Sequence, residues 1–185
     1  MKMRVLGAVM TGLACVALLS SCSLLSGLPG VHGAGPDYSG QTADAEMRHI
    51  ADAVNSHDVA ALKKLFSQRA REKATDLDSG LASLLSLFPS GRFTWKSEGP
   101  PASSGGSANG KRTVELLAFY KVSAGGKDYD LYFGDFTVNG DSTNVGIYSL
   151  GLAPYTSDPQ TASGKPKPLF AWEHTGAPGV YIFEK

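Results

Sequence analysis

The sequence predicts an α+β domain in which N-terminal helices pack on a curved antiparallel sheet. Between Thr42 and Phe88, apolar residues recur every three or four positions, the spacing of an amphipathic helix. From Arg92 onward, the segments are instead rich in aromatic and β-branched residues and are separated by turn signals. Because the glycine turns between several of them are too short for a helical crossover, those neighbouring strands are expected to run antiparallel.

Three helices are predicted in the first part of this domain. The first covers about residues 42–56 and carries Asp44 and Glu46 in its first turn, where the helix dipole favours acidic side chains. Asp58 is expected to cap a second helix that ends near Arg71. The buried faces are predicted from helical spacing: Met47, Ile50, Ala51 and Val54 in the first helix, and Val59, Leu62, Leu65 and Phe66 in the second.

The third helix is predicted to begin near Thr75 and to end before Pro89. Thr75 and Asp78 lie three residues apart, as in a capping box with Asp in place of Glu. Asp76 and Asp78 lack the glycine and the distal glutamate of a calcium loop, so helix capping is the simpler interpretation of these acids. Lys63, together with Lys64, is expected to form a solvated helix face.

Four strands are predicted, at residues 92–97, 112–123, 127–138 and 144–152. Short glycine turns at residues 124–126 and 139–141 separate the later strands. Residues 100–110 are expected to form a looser loop, and residues 154–168 an irregular tail. Short edge strands are predicted at residues 169–172 and 180–183.

The N-terminus has the pattern of a secretory signal peptide at residues 1–21. Lys2 and Arg4 precede an apolar stretch of about 15 residues, shorter than the roughly 20 residues of a permanent membrane helix. The stretch ends in Leu19-Ser20-Ser21-Cys22, which resembles the lipobox of bacterial lipoproteins. Cleavage before Cys22 would also remove Cys15, the chain's other cysteine, so an unlipidated Cys22 would be a solitary thiol in an oxidising compartment. We therefore expect lipid on Cys22, a membrane anchor on the extracytoplasmic face of a bacterial envelope.

Composition limits the expected partners of the mature chain. Residues 22–40 are rich in Ser, Gly and Pro and are predicted to be a flexible tether, and residues 41–185 a single domain. Loss of Lys2 and Arg4 with the signal leaves 15 basic residues against 17 acidic ones. This balance gives no electrostatic reason to bind nucleic acid.

Acidic and histidine residues offer weak signals of catalysis. The four histidines, at positions 32, 49, 57 and 174, do not have the spacing of a zinc site, so no metal or other cofactor is predicted. Asp128, Asp130 and Asp135 lie on or beside the third predicted strand. Strand alternation places Asp130 and Asp135 on opposite faces of this strand unless a bulge intervenes at Gly134. Turn and surface positions are the favoured interpretation of these carboxylates.

Aromatic residues on the predicted strands offer a candidate pocket. Most are expected to pack in the core, but Trp95, Tyr120 and Tyr132 combine a ring with a polar group. These three are the predicted lining of a pocket for a small apolar or ring-containing ligand.

Three stretches, together with the lipobox, resemble a known family. They are Leu62-Lys63-Lys64-Leu65-Phe66-Ser67, Asp76-Leu77-Asp78 and Val145-Gly146-Ile147-Tyr148-Ser149-Leu150. They are similar to the domain of unknown function 5104 family, small bacterial lipoproteins of the nuclear transport factor 2-like superfamily, over about residues 42–185. The resemblance implies a cone-shaped, cystatin- or nuclear transport factor 2-like fold with a pocket. It transfers no catalytic residue, because function resides in sites rather than folds.

Three functions remain open at this stage. The leading expectation is a non-enzymatic, lipid-anchored module that binds a small molecule or a protein, with apolar and aromatic pocket walls. An acid–base enzyme would instead use a pocket Asp with His or Tyr, in a cluster with perturbed pKa values. A dimeric structural or adaptor lipoprotein would expose a broad apolar patch on its sheet.

Overall fold

The computed structural model describes residues 39–89, 93–155 and 177–183, all within one compact unit that covers Asp37–Lys185. Four helices come first: α1 Ser39–Asn55, α2 Val59–Leu65, α3 Gln68–Lys73 and α4 Leu77–Leu87. The strands follow: β1 Thr94–Ser97, β2 Ala102–Ala108, β3 Lys111–Ala124, β4 Lys127–Val138, β5 Gly146–Pro154 and β6 Gly179–Ile182, with a 3₁₀ turn at Ser142–Asn144. The predicted α+β class is confirmed. Among the described helices, none is long and apolar enough to cross a membrane.

The second predicted helix is in fact two helices, α2 and α3. Asp58 caps α2 as predicted, accepting a hydrogen bond from the Ala61 amide at 2.8 Å. The helix ends at Phe66, and Ser67 caps α3 by accepting from the Ala70 amide. The Ser67 amide donates to the carbonyl of Ile147 at 2.8 Å, so this junction is tied to β5. A tertiary contact therefore interrupts a helical pattern that is continuous in the sequence.

The predicted capping box at Thr75 and Asp78 is wrong. Asp76 occupies the N-cap position of α4, and its side chain makes no capping hydrogen bond. Asp78 instead pairs with Lys63 of α2, at 2.6 Å from the ammonium nitrogen. Lys63 is therefore part of a link between two helices rather than of a purely solvated face.

The sheet is mixed rather than purely antiparallel, and it is open. Its order is β1-β3-β4-β5-β6, and β2 also pairs with β3, beside β1. The first pairings are antiparallel, as predicted, but β6 runs parallel to β5. The long connection between Tyr155 and Pro178 permits this direction, whereas a tight turn does not. The predicted edge strand at residues 180–183 is thus present as β6, while the one at residues 169–172 lies outside the described residues.

Strand β2 corrects the predicted loop at residues 100–110. All seven of its residues are exposed, and they are Ala, Ser and Gly, which give no alternating hydrophobic signal. Its backbone pairs with β3 along its whole length. The turn is Asn109-Gly110, with φ values of 52° and 74°, as expected for a two-residue hairpin turn.

The main core lies between the helices and one face of the sheet. It combines the buried faces of α1, α2 and α4 with alternate residues of the central strands: Leu116, Ala118, Tyr120 and Val122 on β3, Leu131 and Phe133 on β4, and Ile147, Leu150 and Leu152 on β5. On the opposite face of the sheet, a second small cluster forms around Tyr132 and Ala153. The two faces therefore offer different environments to side chains on the same strand.

Candidate functional site

A cavity lies at the end of the sheet where β4 begins and β5 ends, and we call it the terminal cavity. Its volume is about 510 Å³, within the usual size range of small-molecule sites. The end of α4 and strand β6 complete its walls. Among the described residues, its lining is Leu87, Lys127, Asp128, Tyr129, Leu152, Pro154, Tyr155, Ile182 and Phe183.

Strand register brings the apolar walls of the terminal cavity together. Tyr129 on β4 lies opposite Pro154 on β5, and Leu152 on β5 lies opposite Ile182 on β6. Helix α4 approaches β6 closely because Gly80 has no side chain, since a Cβ there would come within 2.9 Å of the Val180 Cβ. The same helix then carries Leu87 to the cavity. The walls depend on elements that are distant in the sequence.

Charged groups lie at one side of the terminal cavity. Lys121 approaches Asp128 to 2.6 Å, and its ammonium group lies 4.1 Å from the centre of the Tyr155 ring. The hydrogen bond from Lys121, with a second one from Ser123, lowers the pKa of the Asp128 carboxyl, and the same pairing raises the pKa of Lys121. Both groups are therefore charged at neutral pH. Lys127 comes directly before Asp128 and also lines the cavity.

A second polar feature is Asp135 on β4, whose electrostatic surroundings include Glu46 of α1. Only 6% of Asp135 is exposed, and its Oδ1 atom has no hydrogen-bond partner. Burial, followed by the charge of Glu46, raises the pKa of Asp135 to about 7. Burial also raises the pKa of Glu46, an effect that His49, 3.7 Å away, opposes. Such perturbed carboxyl groups are typical of functional sites but also occur in structural networks.

The predicted pocket residues occupy three different settings. Tyr120 is buried in the main core and donates a hydrogen bond to Asp44 at 2.9 Å. Desolvation, followed by the bond to Asp44, raises the pKa of Tyr120. Trp95 is half-buried and packs edge-on against Tyr120, with ring centres 5.4 Å apart. Tyr132 lies on the opposite face of the sheet, beside Phe119. None of the three is among the residues that line the terminal cavity.

The acidic residues of β4 behave as strand alternation predicts. Asp135 is paired in register with Ile147 of the main core, whereas Asp130 is paired with Ala153 of the second cluster. The β4–β5 register does shift between Gly134 and Asp135, but the extra residue of this bulge is Tyr148 on β5. Asp130 and Asp135 therefore stay on opposite faces and cannot form a pair. Burial of both contradicts the prediction of surface carboxylates.

The remaining predicted groups give no assembled centre in the part of the chain that is described. His57 lies at the exposed turn after α1 with φ of 52°. His32, His174 and the lipid-accepting Cys22 lie outside the described residues. Within residues 39–89, 93–155 and 177–183, no three His, Cys, Asp or Glu side chains come together as metal ligands would.

The sequence predicts neither the terminal cavity nor the place of Tyr129 in its wall. The cavity is built from the ends of α4, β4, β5 and β6, and the sequence gives no direct signal of which ends meet. The predicted first-turn positions of Asp44 and Glu46 are wrong, because α1 begins at Ser39 and both acids lie farther along the helix. The electrostatic effect of Glu46 on Asp135 joins residues that are distant in the sequence, so it has no local pattern.

Comparison with known proteins identifies the family of this chain. The model of the family described as Domain of unknown function (DUF5104) matches residues 49–156, more than half of the 185 residues. The match begins within α1 and runs through the end of β5. A search of curated proteins found no match. The chain therefore belongs to the family of domain of unknown function 5104.

Proposed function

We propose that this member of the domain of unknown function 5104 family is a lipid-anchored binding module of a bacterial cell envelope. In this proposal the terminal cavity holds a small apolar or ring-containing ligand. The cavity carries the proposal because seven of its described lining residues have largely apolar side chains and come from four different elements. Such walls are typical of ligand pockets, where a few polar groups fix orientation.

The competing functions have less support. An acid–base enzyme would need a pocket Asp that exchanges protons beside its substrate. Asp128 lines the terminal cavity, but hydrogen bonds from Lys121 and Ser123 lower the pKa of its carboxyl. Asp135 lies six residues along β4 from Tyr129, about 20 Å in an extended strand. An adaptor would need a broad exposed apolar patch. Among the described residues, the large apolar side chains that are clearly exposed are Val59, Val138 and Val145. Scattered exposed valines are normal for a monomeric surface.

The anchor is proposed from the N-terminal pattern. Residues 1–21 supply the basic and apolar regions of a signal peptide, and Cys22 follows the small residues at its end. Two or more acyl chains on Cys22 give lasting membrane attachment, since each buried methylene contributes about 0.8 kcal/mol. The nuclear transport factor 2-like relationship belongs to the same proposal. It is supported by the order of helices before sheet, while the parallel β6 departs from the antiparallel cone that the resemblance implied.

Replacing Cys22 by serine is expected to release the protein from the membrane fraction. The wild type should sediment with membranes, and its N-terminal peptide should begin at Cys22 and carry a diacylglycerol mass. The variant has no thiol for the lipid, so the diacylglycerol mass should be absent and the membrane attachment that depends on the acyl chains should be lost. Fractionation followed by mass spectrometry of the N-terminal peptide measures both. A wild-type peptide that begins elsewhere, or one without lipid, would contradict the anchor.

Replacing Leu87 by tryptophan is expected to remove the ligand. The larger side chain would occupy space at the end of α4 that the ligand needs, and bound ligand should fall at least about tenfold, equivalent to about 1.4 kcal/mol. Native mass spectrometry of protein purified from a bacterial host measures the adduct, which should be lost on denaturation. Val59→Trp, at an exposed position outside the cavity lining, is the matched control. Circular dichroism checks that both variants are folded. A wild type without adduct, or equal adducts in both variants, would contradict a ligand in this cavity.

A further inference from the structure

Two charged residues occur in the described lining of the terminal cavity, and they differ in their partners. Lys127 and Asp128 are neighbours at the start of β4, directly after the Gly125-Gly126 turn. Asp128 accepts hydrogen bonds from Lys121 and Ser123. Its negative charge is therefore balanced by Lys121, a residue outside the cavity lining.

Lys127 is balanced by no such partner within the described residues. Its side chain is exposed, and the ion pairs seen in the described part of the chain join other cations to acids: His49 to Glu46, Lys63 to Asp78, Arg69 to Asp141 and Lys121 to Asp128. The described lining thus combines apolar walls with Lys127, a cation without an ion-pair partner among the described residues.

We propose that the ligand of the terminal cavity is an amphipathic anion. Its apolar chain or ring lies against Leu87, Leu152 and the aromatic walls, and its single carboxylate, sulfonate or phosphate group pairs with Lys127. This inference rests on the proposed binding function and adds the charge of the ligand to it. No covalent step is involved.

Apolar walls and a charged side chain select different features of a ligand. Apolar walls favour any apolar chain of suitable size, because burial of apolar surface is not directional. Lys127 stabilises only a ligand with negative charge, whereas a positively charged head would be repelled by Lys127 and would compete with Lys121 for Asp128. Three ligands with the same apolar tail and different head groups therefore separate the contribution of apolar burial from the contribution of charge.

The test compares decanoate, 1-decanol and decylamine, each below its aggregation limit, by titration calorimetry of the full chain with Cys22→Ser. Decanoate is expected to bind about tenfold more tightly than 1-decanol, with decylamine weakest. Lys127→Met keeps most of the apolar stem but removes the charge, so it should lower decanoate affinity about five- to tenfold and leave 1-decanol unchanged. Lys64→Met, on the exposed surface of α2 and outside the cavity lining, is the matched control.

The outcomes distinguish this inference from the proposed function beneath it. Equal affinities for decanoate and 1-decanol, with no effect of Lys127→Met, would overturn the anionic class while leaving an apolar ligand in place. Tightest binding by decylamine would overturn the anionic class, because it would show that Asp128 rather than Lys127 selects the head group. Absence of binding by all three tails would contradict the proposed apolar ligand site itself. A preference for decanoate that shrinks in about 0.5 M NaCl would support the charge contact, since salt screens exposed charges.

Discussion

Replacing Asp135 by asparagine is expected to stabilise the protein at pH 8 by about 2–3 kcal/mol. Asp135 is buried with an unsatisfied Oδ1 atom, and burial and the charge of Glu46 both disfavour its ionised form in the folded state. A rise in pKa from 3.8 to about 7 corresponds to about 4 kcal/mol of folding free energy. Asparagine removes this charge, but its buried amide lacks a full set of partners, which costs about 1–2 kcal/mol.

The pH dependence of this effect follows from the direction of the shift. Because the folded-state pKa of Asp135 lies above the unfolded-state value, the folded protein binds more protons between the two. The contribution of protonated Asp135 to the free energy of unfolding is complete below about pH 4 and is lost as the pH rises towards 7. The wild type should therefore lose stability over this window relative to Asp135→Asn. Urea unfolding at intervals from pH 4 to pH 8 measures the difference.

Glu46→Gln is the informative companion variant. The charge of Glu46 contributes to the raised pKa of Asp135, so its removal should move the midpoint of the pH dependence to lower pH. Burial is the larger cause, so most of the dependence should remain. If the stability curves of the wild type and Asp135→Asn run parallel from pH 4 to pH 8, the pKa of Asp135 is not raised in the folded state.

The elements with a strong hydrophobic pattern were predictable from the sequence. Strand β4 has the predicted bounds, because a segment rich in aromatic residues lies between two glycine-containing turns. Helix α1 was found within three residues at its start, since its buried face repeats at helical spacing. Strand β2 was missed because Ala, Ser and Gly carry no pattern, although Asn109-Gly110 is a strong hairpin signal.

The candidate site was predictable only in its chemical character. Aromatic residues on the predicted strands indicated an apolar pocket. The three residues predicted to line it, Trp95, Tyr120 and Tyr132, instead pack in or against the main core and the second cluster. The polar group of an aromatic side chain did not distinguish pocket residues from core residues, because Tyr120 uses its hydroxyl for a hydrogen bond to Asp44. A cavity at the ends of four elements depends on register and on the direction of β6, and neither follows from local periodicity.

Replacing Gly146 by alanine is expected to destabilise the protein by about 3–5 kcal/mol. Gly146 has φ of 116°, a conformation that residues with a side chain rarely adopt, and such strain costs about 1–3 kcal/mol. A Cβ atom there would also lie 3.0 Å from the Leu65 carbonyl oxygen and 3.0 Å from the Ser67 amide nitrogen. Both contacts are backbone atoms, so the α2–α3 junction must move, and overpacking of this kind costs about 1–3 kcal/mol more.

Substitutions at two other glycines distinguish backbone strain from overpacking as causes of the expected loss of stability. Gly125 has φ of 58° and open space around its Cβ position, so Gly125→Ala measures left-handed strain alone, about 1–2 kcal/mol. Gly106 has neither a positive φ nor a neighbour, so Gly106→Ala should have little effect. Urea unfolding compares the three variants. If Gly146→Ala loses no more than Gly125→Ala, then the junction is free to shift, and the bond from Ser67 to Ile147 does not fix the helices to β5.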